Sequence, residues 1–125
     1  METLKDMLAA AETGVPRISA DEAKALHGRP HVVFLDVREP PEIAASGKIA
    51  GALAIPRGLV EFRADPASSS YNAAFDPAGT IVIYCASGAR AALAGKTLKD
   101  MGYANVRNLG VFKEWVDAGG PTDKA

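Results

Sequence analysis

A single stretch decides which architectures are open to this chain: Ile81-Val82-Ile83-Tyr84-Cys85-Ala86-Ser87-Gly88-Ala89-Arg90-Ala91-Ala92-Leu93-Ala94, where period and chemistry change midway. Four β-branched or aromatic residues without a charge read as a strand buried on both faces, and the Ala- and Leu-rich run after Gly88 reads as a helix. The only cysteine stands at the junction. A thiol there meets backbone N–H groups and the positive end of a helix dipole, and Arg90 adds a permanent positive charge nearby. All three favour the thiolate. A free cysteine at a strand end is often no more than a small buried apolar residue. Here small Ala86, Ser87, Gly88 and Ala89 leave room for a ligand against the backbone, and Arg90 has no evident use in plain packing, so Cys85 is expected to be a nucleophile.

The totals bound what surrounds it. A chain of 125 residues is expected to form one domain that buries roughly two thirds of its unfolded surface. Fourteen Lys and Arg against fifteen Asp and Glu leave no general basic field for nucleic acid or membrane, so any positive potential is local. One cysteine forms no intrachain disulfide, and two isolated histidines offer no metal-ligand spacing; neither metal nor cofactor is expected. Glu2, Lys5, Asp6 and Glu12 interrupt any apolar signal core, and no apolar run approaches membrane-spanning length. The expectation is a cytoplasmic protein, monomeric or weakly dimeric.

In chain order, Leu4, Met7, Leu8 and Ala11 share one helical face, so residues 1–14 read as an amphipathic helix packed on the domain that spans 15–121. Residues 15–18 enter as a short edge strand, and Ser19-Ala20-Asp21-Glu22 opens a helix with a capping-box pattern. His27 and His31 flank a Gly28-Arg29-Pro30 turn and read as solvent-facing. Val32-Val33-Phe34-Leu35 is a second strand covered on both faces, with Asp36 and Arg38 at its carboxyl end, where open α/β sheets bind ligands. A short helix from Pro41, a strand over 52–55 and a helical turn or two over 57–63 follow; Arg57, just past a strand end, is a candidate for the pocket rim. The irregular stretch 65–79 is long enough to border the pocket. A helix from about Ala89 to Met101, a strand over 105–109 and a helix over 111–117 with Trp115 in its apolar face complete the fold, and the polar tail 122–125 is expected to fray. Alternating strands and helices give an α/β fold with a mainly parallel sheet of about five strands, helices on both faces and Cys85 on the central strand.

Cys85-Ala86-Ser87-Gly88-Ala89-Arg90 resembles the active-site loop of the rhodanese domains, in which a cysteine opens a six-residue loop that cradles its own persulfide. Leu35-Asp36-Val37-Arg38-Glu39-Pro40-Pro41-Glu42 is similar to the family's Asp-Val-Arg segment. Residues 47–56 resemble its Gly-His-Ile-x-Gly-Ala-x-Asn-Ile-Pro segment, with Lys48 in place of the histidine and Ala54 in place of the asparagine. Gly102-Tyr103-Ala104-Asn105-Val106, Asn108-Leu109-Gly110, Trp115 and Gly119-Gly120-Pro121 fit its C-terminal part. The four segments fall in the family's order over about residues 18–121.

The resemblance implies sulfur transfer: Cys85 takes a sulfane sulfur from thiosulfate or a persulfide, residues 86–90 stabilise the resulting persulfide, and a thiol or cyanide accepts the sulfur. It also implies that Asp36 and Arg38 hold the loop, through a bracing network or by direct contact. Donor and acceptor are small molecules or other proteins. Arg90 is expected to steer an anionic donor unless it pairs with Asp36 or Glu39, and the otherwise neutral loop predicts weak binding of free thiosulfate. Two other readings stay open, and a third is disfavoured by loop length. A persulfide carrier or redox-sensing module needs the same cysteine, as does an arsenate reductase. A cysteine phosphatase needs Cys-x5-Arg, and here Cys-x4-Arg puts Ala91 where the arginine belongs.

Overall fold

The computed structural model describes residues 1–124. In chain order its elements are α1 (Leu4–Gly14), α2 (Ala20–Leu26), β1 (Val32–Asp36), α3 (Pro40–Ser46), β2 (Lys48–Ile49), β3 (Leu53–Ala54), a 3-10 turn (Arg57–Leu59), α4 (Val60–Ala64), β4 (Thr80–Cys85), α5 (Ala89–Asp100), β5 (Asn105–Val111), α6 (Phe112–Asp117) and β6 (Thr122–Asp123).

The two uncharged runs pair with each other. β1 and β4 are parallel, from Val32 opposite Thr80 to Asp36 opposite Tyr84, within a four-stranded parallel sheet of order β3-β1-β4-β5. Side chains alternate along β4. Ile81, Ile83 and Cys85 join Leu35, Val60, Ala94 and Leu98 in one cluster; Val82 and Tyr84 join Ala23, Phe34, Leu109 and Trp115 in another. Helices α4 and α5 thus cover one face and α2 and α6 the other, which is why neither strand carries a charge in its interior.

The sheet has four strands where about five were expected. The edge strand read at 15–18 is reduced to a bridge between Arg17 and Asn108: Ile18 N–H donates to the Asn108 carbonyl (3.0 Å) and Asn108 N–H to that of Pro16 (2.9 Å). Pro16 has no N–H to extend the ladder. Ahead of it, Thr3 and Asp6 form a capping box at the start of α1, and Lys99 Nζ donates to the Gly14 carbonyl (2.7 Å). Gly95 lets this segment approach α5, since a Cβ there would stand 3.2 Å from Val15 Cγ1.

Three other expectations change. The polar end of the chain pairs as β6, antiparallel to β2, and Asp123 Oδ2 accepts from Gly51 N–H (2.8 Å); Ala125 lies outside the described residues. His27 does not face solvent: its ring packs edge-on against Phe34 with centroids 5.2 Å apart, and Nε2 lies 2.7 Å from the Ala50 carbonyl oxygen. The stretch 65–79 runs at the far end of the sheet from Cys85. There Phe75 is buried in the core, and Ala74 and Asp76 line a cavity of about 200 Å³ with His31 and Thr80, at the amino ends of β1 and β4.

Candidate active site

Cys85 is the last residue of β4 and is fully buried. Its Sγ accepts from Gly88 N–H at 3.0 Å and from Ala91 N–H at 3.4 Å. The chain turns back on the sulfur because Gly88, immediately before α5, adopts φ +103° and ψ −19°, a left-handed conformation that a side chain would oppose. N–H groups at the start of a helix have no carbonyl partner within it; here they converge on sulfur. Ala86, Ser87 and Ala89 are exposed while Gly88 is buried, so the small residues make a crest over the thiol. Negative charge on this sulfur, or on an atom bonded to it, faces N–H donors and the positive end of the twelve-residue α5.

Arg90 does not point its guanidinium freely at the loop. Its Nη1 and Nη2 donate to Glu42 Oε1 (2.6 Å) and Oε2 (2.9 Å) in a bidentate pair, with each side chain about one third exposed. Neither Asp36 nor Glu39 is the partner. The Arg90 hydrogen bonds, followed by the Glu39 backbone N–H, hold the Glu42 carboxyl at about 2, and the same pair raises Arg90 above its ordinary range. The pairing of Glu42 with Arg90 had no local signal in the sequence, because the two lie 48 residues apart.

Asp36 and Arg38 are buried and bind each other. Arg38 Nε and Nη2 donate to the Asp36 carboxylate (2.8 Å from Nη2 to Oδ2), and Arg38 N–H donates to Oδ1 at 2.9 Å. Nη1 goes on to Ser46 Oγ (2.8 Å), Nη2 to the Gly47 carbonyl (2.7 Å), and the guanidinium lies 4.4 Å from the Phe112 ring centroid. Burial opposes the Arg38 charge, but Asp36 outweighs it and the group is raised. One guanidinium therefore ties the end of β1 to the end of α3 and the start of α6. Its hydrogen bonds go to this frame and not to residues 86–90. Tyr84, next to Cys85, accepts from Ile49 N–H through its hydroxyl (3.0 Å), and burial pushes its phenol well up.

Arg57 lies elsewhere. Its Nη1 donates to Glu61 (2.9 Å) and Nη2 to Thr97 Oγ1 (3.0 Å), and Thr97 sits about 12 Å along α5 from the helix start at 1.5 Å per residue. A cavity of about 260 Å³ that it shares with Met7, Leu93 and Lys96 belongs to the α1–α5 side. The structure brings together Cys85, residues 86–91, Arg90 and Glu42, with Asp36 and Arg38 framing β1 beside them. Among the described residues, no three His, Cys, Asp or Glu side chains gather as a metal ion would require.

Residues 19–118 match the rhodanese-like domain family. A sulfurtransferase of Allochromatium vinosum is 36% identical over 91 residues, covering 72% of this chain and 77% of that protein. A protein of unknown function from Rhodopseudomonas palustris CGA009, described as a possible tyrosine phosphatase, superposes with a TM-score of 0.91 at 40% identity, over 98% of this chain and 96% of its own. The polysulfide-sulfur transferase homodimer of Wolinella succinogenes superposes with a TM-score of 0.74 at 32% identity, over 95% of this chain and 85% of its own. Matched over this span and by relatives of this likeness, the chain belongs to the rhodanese-like domain family.

Proposed function

We propose that the protein is a sulfurtransferase whose Cys85 accepts a sulfane sulfur and passes it to a thiol. The observation that carries this reading is the pair of backbone donors on a buried Sγ, at 3.0 and 3.4 Å, a setting suited to an anionic sulfur. The Cys85 thiolate attacks the outer sulfur of the donor; a new S–S bond forms, the donor's own S–S bond breaks, and its electron pair leaves with sulfite from thiosulfate or with a thiolate from a persulfide. An acceptor thiolate then attacks the outer sulfur of the Cys85 persulfide, leaves as a persulfide itself and restores the thiolate. With one cysteine in the chain, the acceptor is a second molecule. A reducing compartment such as the cytoplasm supplies one.

The names of the relatives favour this reading, and the Arg90–Glu42 pair refines it. A guanidinium already neutralised by a carboxylate adds little attraction for a free dianion, which favours a persulfide donor over thiosulfate. The Rhodopseudomonas protein's description raises a phosphatase as the second reading. Against it, only four residues separate Cys85 from Arg90, Ala91 occupies the position a phosphatase arginine would take, and Arg90 is committed to Glu42. The protein is expected to leave p-nitrophenyl phosphate untouched.

Turnover separates the remaining readings. Thiocyanate is measured from cyanide with thiosulfate and, separately, with cysteine persulfide as donor. Formation with either, abolished in Cys85→Ser, supports the enzyme. Stoichiometric loading without turnover supports a carrier, and no reaction with either donor sinks sulfur transfer and leaves arsenate reduction or redox sensing.

A further inference from the structure

Two guanidinium groups flank the loop, and they are not equivalent. Arg90, on the β1 side, commits both Nη atoms to Glu42. Arg17 lies on the other side, along β5. Its guanidinium rests on Gly110 so closely that a Cβ there would stand 2.7 Å from Cζ, and its Nη1 is 3.3 Å from where a Cβ of Gly88 would be. Both glycines have positive φ, +103° at Gly88 and +82° at Gly110, and together they make the gap that the guanidinium fills.

Gly88 is also the residue whose N–H holds Cys85 Sγ at 3.0 Å. Through that short series of contacts the guanidinium stays within about 9 Å of the sulfur. An attack distance of about 3.5 Å, the length of a small donor and a hydrogen bond of about 2.8 Å cover a comparable span. Arg17 also has donors to give. It makes no hydrogen bond to the described residues, and its nearest carboxylate, Glu114, stands 3.7 Å away, with the two side chains 44% and 53% exposed. Such a pair is weak. Arg38 and Arg57, in contrast, are committed to protein acceptors.

We propose that Arg17 receives the anionic end of the sulfur donor while the donor's outer sulfur meets Cys85. The ligand group is an oxyanion: the sulfonate of thiosulfate, or the carboxylate of a small persulfide, either of which suits a planar guanidinium fork. This inference rests on the sulfur-transfer reading and adds to it the residue that selects the donor by charge. It also assigns a use to the paired glycines, since a side chain at Gly110 would displace the guanidinium and one at Gly88 would crowd it.

The test compares wild type, Arg17→Gln and Arg17→Lys with three donors: thiosulfate, cysteine persulfide and the persulfide of cysteine methyl ester, which has no carboxylate. Arg17→Gln is expected to raise KM about tenfold for a donor whose oxyanion Arg17 binds, with kcat within about twofold, and to leave the ester unchanged. Arg17→Lys restores part of the loss, and Glu114→Gln lowers KM by about twofold as a competing carboxylate is removed. A rise for thiosulfate alone identifies the sulfonate; a rise for cysteine persulfide alone identifies the carboxylate. An equal loss with the ester, or no change with any donor, overturns the assignment. A second readout does not need sulfur transfer. Sulfate is expected to slow iodoacetamide alkylation of Cys85 in wild type and not in Arg17→Gln, so that even a protein that loads no sulfur shows whether Arg17 binds an oxyanion. Absence of protection in wild type, or equal protection in both proteins, overturns it.

Discussion

At Gly88 one backbone conformation decides whether the Cys85 sulfur has its hydrogen bonds. Gly88→Ala would put a Cβ on a residue at φ +103° that is also in contact with Arg17. The expected cost is about 1–2 kcal/mol of stability, read as a lower urea midpoint, together with a loss of persulfide formation larger than that destabilisation explains. Unchanged loading would mean that persulfide formation does not depend on the left-handed backbone at Gly88. Glu42 gives a second, pH-dependent prediction. Its carboxyl lies at about 2 in the folded protein against an ordinary 4.5. A depressed folded value stabilises the fold above 4.5 and loses that contribution as the pH falls toward 2. Because both partners are about one third exposed, the effect is small, under about 1 kcal/mol. Urea denaturation should show wild type more stable than Glu42→Gln at about pH 6, with the gap closing from about pH 4 downward. A gap that stays constant over that interval would contradict the pairing.

Among the elements, the frame around β1 carries the larger energies. Arg38→Ala leaves the Asp36 carboxylate buried without its partner, Ser46 and the Gly47 carbonyl without their donor, and α3 and α6 no longer joined. The expected loss is about 3–5 kcal/mol, measured by denaturation; a change below about 1 kcal/mol would place the pair among weak surface contacts. Tyr84→Phe removes the acceptor of the buried Ile49 N–H, and about 1–3 kcal/mol is expected to go with it. The elements themselves were legible. The uncharged runs at 32–35 and 81–84, Gly88 before an Ala-rich helix and Ser19 with Glu22 each leave a pattern within a few residues, and each became the element it indicated. What joins elements left no such pattern. Arg90 finds Glu42 across 48 residues and Tyr84 reaches Ile49 across 35, distances over which sequence spacing says nothing. Arg17 leaves no pattern for the same reason: its neighbours Gly88 and Gly110 are brought to it only by the sheet.

For the molecule as a whole, the two core clusters lie on opposite faces of the same strands, since β1 and β4 supply residues to both. Neither can dissolve and leave the other intact. Thermal unfolding is therefore expected as one transition, with the fluorescence of fully buried Trp115 and the far-UV circular dichroism coinciding; separated midpoints would mean that one face opens alone. With a net charge of −1, the protein offers no global field to draw in an anionic donor, which leaves recruitment to groups beside the loop. The intact mass of the protein after incubation with thiosulfate or, separately, cysteine persulfide, followed by desalting, reads the chemistry of that loop in a single number. A gain of one sulfur, about 32 Da, reversed by cyanide and absent from Cys85→Ser, is predicted for at least one donor. No gain with either donor, or a gain that persists in Cys85→Ser, would contradict the assignment of Cys85 as the sulfur-carrying nucleophile.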